Sequence, residues 1–187
     1  CDTALIYYQE VLTGWMATQG PNDPKVANVY NNMGICFGLQ GNYERSLECY
    51  NSALNIRWEY YGDCHPSVAA SFLNLGVNHH EKADYNKALS FFQKALDISE
   101  EVLESNHPDF ALIYNNMGVC YQNKADYQNA LELLGKAANI NINRLGPQHP
   151  EVATAYNNHG LNFFETGDYN RALRYFNKAL LIRLESF

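Results

Sequence analysis

The sequence predicts an all-α fold, a solenoid of stacked helical hairpins, and three observations carry that prediction. A 42-residue period runs along the chain, apolar positions inside each period fall at helical steps, and each period holds two such stretches separated by stop and cap residues. The pair His65-Pro66 returns as His107-Pro108 and His149-Pro150, with Asp23-Pro24 one step earlier. Ala27, Ala69, Ala111 and Ala153 keep the same step, as do Tyr30, Phe72, Tyr114 and Tyr156 and the glycines Gly34, Gly76, Gly118 and Gly160. A second half follows in register, with Tyr43, Tyr85, Tyr127 and Tyr169, then Ser46, Ala88, Ala130 and Ala172, then Ala53, Ala95, Ala137 and Ala179.

Taken in order, residues 1–20 align with the second helix of a truncated repeat, and four full repeats follow at 24–62, 66–104, 108–146 and 150–187. In each first helix proline stands where its missing N–H would be unpaired anyway. Ala111, Tyr114, Gly118 and Tyr121 then mark an apolar stripe at three- and four-residue steps. The first helices stop near Gly41, Ala83, Ala125 and Gly167. Asn42, Asp84, Asp126 and Asp168 are placed to cap the second helices by accepting backbone N–H bonds. Small residues where the helices cross, Gly34 against Ser46 or Gly118 against Ala130, let the two backbones approach closely.

Composition narrows the function classes. The 187 residues are 47% hydrophobic and 13% aromatic, which excludes a disordered chain. With 13 Lys+Arg against 20 Asp+Glu the net charge is −7, so neither a nucleic acid nor an anionic membrane surface is an expected partner. No apolar run approaches the ~20 residues that span a bilayer. The chain opens on Cys1 rather than Met and shows no charged-then-apolar leader, so an excerpt of a longer protein is expected. Five cysteines without a CxxC pair, and no glycosylation sequon, favour a reducing, cytoplasmic setting.

Catalytic and metal chemistry find little support. His79 and His80 point roughly 100° apart on a helix, and His65, His107 and His149 recur as turn residues between helices. No His pair at i, i+4 with a carboxylate appears, so no metal and no cofactor are expected. Cys36 and Cys120 share one repeat column with no histidine recurring beside them, which marks them as packing residues rather than nucleophiles.

The columns A-x-x-[YF]-x-N-x-G, then [GA]-[DN]-Y-x-x-[AS]-L, then A-[LA] resemble the tetratricopeptide repeat. The 42-residue period with Leu145-Gly146-Pro147-Gln148-His149-Pro150 is similar to the kinesin light chain-like subtype. The resemblance covers essentially the whole chain. It implies a right-handed α-solenoid whose first helices line a concave groove, and it implies six groove-facing positions per repeat. Carried onto this sequence, those positions hold no Lys or Arg. A clamp for acidic C-termini and the basic cargo groove of kinesin light chains are therefore not expected.

What those positions do hold is an asparagine ladder. Asn32, Asn74, Asn116 and Asn158 form one column, with Asn31, Asn115 and Asn157 beside three of them. A carboxamide offers donors and an acceptor and can pair with both N–H and C=O of an extended peptide. Ile35, Val77, Val119 and Leu161 supply apolar floor. The same asparagines could instead bond only to the neighbouring repeat, since polar groups at an interface need partners. The expectation is a non-catalytic scaffold for a protein or peptide partner of neutral or mildly basic character. The alternative is a regulatory or assembly module of a larger motor or enzyme, docking through its repeat ends. Apolar residues on more than one face of the last helix, and Leu5, Ile6, Tyr8, Val11 and Leu12 in the first, also predict end-to-end self-association.

Overall fold

A proline opens the first helix of each hairpin, and the residue before it supplies the cap. In the computed structural model, which describes residues 2–185, the helices are α1 (Asp2–Gln19), α2 (Pro24–Leu39), α3 (Tyr43–Tyr61), α4 (Pro66–Glu81), α5 (Tyr85–Val102), α6 (Pro108–Asn123), α7 (Tyr127–Leu145), α8 (Pro150–Glu165) and α9 (Tyr169–Glu185). Among the described residues there is no strand. The Asp23 carboxylate accepts the Lys25 N–H at 2.8 Å. In the same register Nδ1 of His65, His107 and His149 accepts from Ser67, Asp109 and Glu151 at 3.1, 3.3 and 3.3 Å. The His-Pro pair is thus a cap followed by a pre-formed first turn.

The second helices are capped as the sequence predicts. Side-chain oxygens of Asn42, Asp84, Asp126 and Asp168 accept N–H bonds from Arg45, Lys87, Asn129 and Arg171. Between the two helices the chain must turn through the left-handed region. Gly41 and Gly167 do so with φ of 74° and 80°, but Ala83 and Ala125 do so with φ of 58°. A Cβ there costs about 1–2 kcal/mol, so two of the four turns carry strain that the other two avoid.

The glycine column is explained by one close contact. A Cβ on Gly76 would lie 2.4 Å from the Phe92 ring, and one on Gly118 would lie 2.8 Å from Leu134. Tyr50 and Phe176 press on Gly34 and Gly160 in the same way. The small-residue crossings are present as well, since the Ser46 hydroxyl donates to the Gly34 carbonyl at 2.8 Å. The large side chain sixteen residues on, not the small one, is what forbids a Cβ.

The chain divides into two units, Cys1–Leu103 and Glu104–Phe187. In the first, α1 packs on α2, α2 on α3, α3 on α4 and α4 on α5; in the second, α6 packs on α7, α7 on α8 and α8 on α9. The core of the first unit includes Leu12, Val26, Ala27, Met33, Phe37, Ala53 and Ile56. Val152, Ala153, Ala179 and Ile182 form a core cluster of the second. Phe92 and Leu134, both fully buried, each contribute about 1.5–3 kcal/mol by leaving water. Outside these cores α9 exposes Leu173, Leu180, Leu181 and Leu184, and α1 exposes Ile6 and Tyr7.

Candidate interaction face on the first helices

Helix periodicity sets which side chains leave the core. In α2, burial of Val26, Ala27, Val29, Met33 and Phe37 turns Asn31, Asn32, Ile35 and Leu39 to the opposite side, and the other first helices repeat this. Asn31, Asn32, Asn74, Asn115, Asn116, Asn157 and Asn158 are all half-buried. Val77 is 36% and Leu161 43% exposed, while Val119 is half-buried. Ile35, Leu39, Leu112 and Phe164 are exposed on the same helices.

The asparagines meet in pairs across successive repeats. Nδ2 of Asn74 donates to Oδ1 of Asn31 at 2.6 Å within the first unit. Nδ2 of Asn158 donates to Oδ1 of Asn115 at 2.8 Å within the second. Both bonds span 43 residues, one repeat plus one position, so each needs an asparagine immediately before the ladder position of the preceding repeat. Leu73 breaks that rule in the second full repeat. Gln122 adds a further link, its Nε2 donating to the Asn158 carbonyl at 2.9 Å. Asn32, Asn116 and Asn157 make no side-chain hydrogen bond among the described residues.

A hollow of about 390 Å³ lies beside the first pair, lined by Ile35, Leu39, Tyr50, Asn74, Val77 and Glu81 among others. A second, of about 280 Å³, lies beside the other pair and is lined by Asp109, Leu112, Asn115, Asn141, Glu151 and Thr154 among others. Each joins apolar walls to a few polar groups, which suits a polypeptide segment.

Sequence reasoning missed two buried polar columns. Asn78 and Asn162 are 4% and 2% exposed, and their Nδ2 groups donate to the carbonyls of Tyr43 and Tyr127 at 3.3 and 3.0 Å. They tie each first helix to the start of the preceding second helix. Their signal was an alternation in one column, Cys36, Asn78, Cys120, Asn162. The other column holds Arg57, buried in the first unit, whose guanidinium donates to Ser71 Oγ at 2.7 Å and Asn28 Oδ1 at 2.9 Å.

The titratable groups are arranged for packing. Burial pushes the thiols of Cys49 and Cys120 up to about 11, away from nucleophilic thiolate. His159 takes the place that Met33, Leu75 and Met117 hold in the other repeats, stacks on Tyr175 with ring centroids 5.2 Å apart, and leaves Nδ1 without a partner. Burial holds its pKa below the ordinary histidine value, opposed only by a hydrogen bond with the Leu134 backbone. Among the described residues no three His, Cys, Asp or Glu side chains gather in a way that would hold a metal ion.

Comparison with known proteins agrees with this architecture. A family model described as tetratricopeptide repeat matches residues 1–57, 38–101 and 109–185. The crystal structure of BtubC (BKLC) from P. vanneervenii is similar at TM-score 0.82 and 23% identity, over 96% of this chain and 71% of that one. A Podosopora anserina putative kinesin light chain with nearly identical TPR-like repeats is similar at TM-score 0.77 and 18% identity, over 99% of this chain and 88% of that one. The apo form of RapI is similar at TM-score 0.80 and 23% identity, over 96% of this chain and 62% of that one. No curated protein matches the chain. The chain therefore belongs to the tetratricopeptide repeat family, an all-α array of helical hairpins of the kind that serves as a protein-interaction scaffold.

Proposed function

We propose that the protein is a non-catalytic scaffold that holds an extended peptide against its first helices by bonding to the peptide main chain through asparagine carboxamides. The observation that carries the reading is the half-open state of the amide pairs. A carboxamide has two N–H donors and two acceptor lone pairs, and each inter-repeat bond uses one donor of one partner and one lone pair of the other. The rest of each pair, together with Asn32, Asn116 and Asn157, faces partly accessible space beside Val77, Val119 and Leu161. The inter-repeat bonds then aim the ladder rather than consume it. The groove-facing positions themselves carry no Lys or Arg, and with Glu81 and Glu165 exposed nearby this favours neutral or mildly basic segments. The four described cysteines are free thiols, which supports a cytoplasmic setting.

The test begins with selection of binders from a random peptide library on the wild-type protein. Titration calorimetry then compares the selected peptide on wild type and on an Asn74→Ala, Asn116→Ala, Asn158→Ala triple variant. A loss of at least about tenfold, equivalent to about 1.4 kcal/mol, with the fold retained supports the reading. Unchanged affinity in the triple variant overturns it.

A second reading is favoured by the exposed leucines of α9 and the exposed Ile6 and Tyr7 of α1. On that reading the array is an assembly module of a larger motor or enzyme, associating through these outer helices. Leu181→Glu with Leu184→Glu then abolishes self-association in sedimentation and spares peptide capture. Association unaffected by these changes contradicts it.

A further inference from the structure

The two units carry the same framework 84 residues apart, and at one place they differ in a way that leaves a side-chain-sized vacancy. In the first unit Arg57 reaches from α3 between α2 and α4, bonding Asn28, Ser71 and, at 3.4 Å, the Ser67 carbonyl. In the second unit the equivalent of Arg57 is Asn141, of Asn28 is Leu112, and of Ser71 is Ala155. The guanidinium is gone, and a cavity of about 280 Å³ bounded by α6, α7 and α8 stands in the corresponding place. Asn141 is 92% buried, from its 8% exposure, and its Oδ1 has no hydrogen-bond partner. A buried carbonyl oxygen without a donor leaves hydrogen-bonding capacity unmet, and a donor in the hollow meets it once the Asn141 side chain turns outward.

The mouth changes charge in step. Where the first unit has Lys25 and Ser67 around its built-in cation, the second has Asp109 and Glu151. The Asp109 carboxylate lies 3.6 Å from His107 Nδ1, and Glu151 forms no ion pair among the described residues. The walls are Ala111, Leu112, Ala137 and Ala155, and Asn115 Oδ1 and Thr154 Oγ retain lone pairs at the rim. Apolar walls with planar acceptors and a carboxylate mouth favour a weakly hydrated guanidinium over a compact, strongly hydrated ammonium.

We propose that this pocket receives an arginine side chain of the bound peptide, which occupies in the second unit the place that Arg57 fills in the first. This deepens the peptide-scaffold reading and names a side-chain preference that the amide ladder, reading main chain, does not supply. The probe is acetyl-arginine-amide, titrated into the isotopically labelled protein while backbone and side-chain amide signals are followed, with the lysine and citrulline analogues as controls. The expected result is saturable displacement of the Asn141 and neighbouring signals by the arginine probe, weak response to lysine, and none to citrulline. Asn141→Arg, which places a tethered guanidinium in the hollow, removes the response. Asp109→Asn with Glu151→Gln weakens it and leaves the melting temperature close to wild type. An equal response to citrulline or lysine, a response that survives Asn141→Arg, or no response at all overturns the proposal. Arginine binding that persists in the Asn74, Asn116, Asn158 triple-alanine variant while the selected peptide is lost or unaffected separates the pocket from the ladder. Peptide binding that persists while the arginine probe fails sinks the pocket alone.

Discussion

The first unit, Cys1–Leu103, and the second, Glu104–Phe187, share helix lengths, caps and an asparagine pair, yet they bury different polar groups. The first encloses Arg57, bonded to Ser71 and Asn28; the second has Asn141 at that position, its Oδ1 unpartnered, and His159 where the first has Leu75. The repeat consensus fixes backbone path through caps, turns and the glycine contacts. Individual substitutions inside that path decide where the structure is polar, strained or hollow, and those are the places where two otherwise equivalent regions acquire separate properties.

The largest effect should come from what the units have in common. Phe92→Ala and Leu134→Ala remove equivalent fully buried side chains and should cost about 3–5 and 2–5 kcal/mol respectively, measured by denaturant unfolding. Hydrogen exchange should show amide opening confined first to the unit that carries the change; equal loss of protection in both units would break the comparison.

Arg57→Ala and Asn141→Ala should separate the units. The first takes a donor from the buried Ser71 Oγ, which keeps its own bond to the Ser67 carbonyl, and opens a cavity, for an expected loss of about 1–3 kcal/mol. The second removes an already unpartnered carbonyl and should shift stability by less than about 1 kcal/mol. Equal costs would mean that the hollow in the second unit is not the counterpart of the Arg57 site.

His159→Leu should sharpen the difference further through pH. The folded-state pKa lies below the ordinary histidine value, so the unfolded chain takes up a proton first as pH falls. Stability from this group is therefore complete above about pH 6.5 and declines below it. The variant should gain about 1 kcal/mol near pH 8 by removing an unpartnered Nδ1, and more near pH 5, in melting curves taken at both values. The smallest effect is expected at the turns, where Ala83→Gly and Ala125→Gly should each stabilise by about 0.5–1 kcal/mol by relieving the left-handed alanines. Destabilisation by either change would show that the turn is not strained.

Most of the architecture could be read from residue spacing. Prolines, Asn or Asp caps and the glycine column each recur four times, so one local ambiguity is resolved by three other copies. His65, His107 and His149 were legible as turn residues, but not as caps accepting through Nδ1; their shared register with Asp23 was the available sign. The asparagine ladder was legible as a column, whereas the bonds from Asn74 to Asn31 and from Asn158 to Asn115 depend on the one-residue offset between stacked helices, which only packing sets. Arg57 lies in a second helix, outside the positions that the family resemblance marks as groove-facing. The Asn141 pocket is formed by what is missing there, so it becomes visible only when the two units are set side by side.

Main-chain recognition by the amide ladder is tested most directly by an N-methyl scan of the library-selected peptide, with affinity measured at each position by calorimetry. Each methyl group deletes one peptide N–H donor and leaves the side chains in place. The account predicts losses of at least about tenfold at several positions, and small losses for alanine replacement outside the arginine contact. Uniform tolerance of N-methylation, with affinity residing in side chains alone, would contradict it.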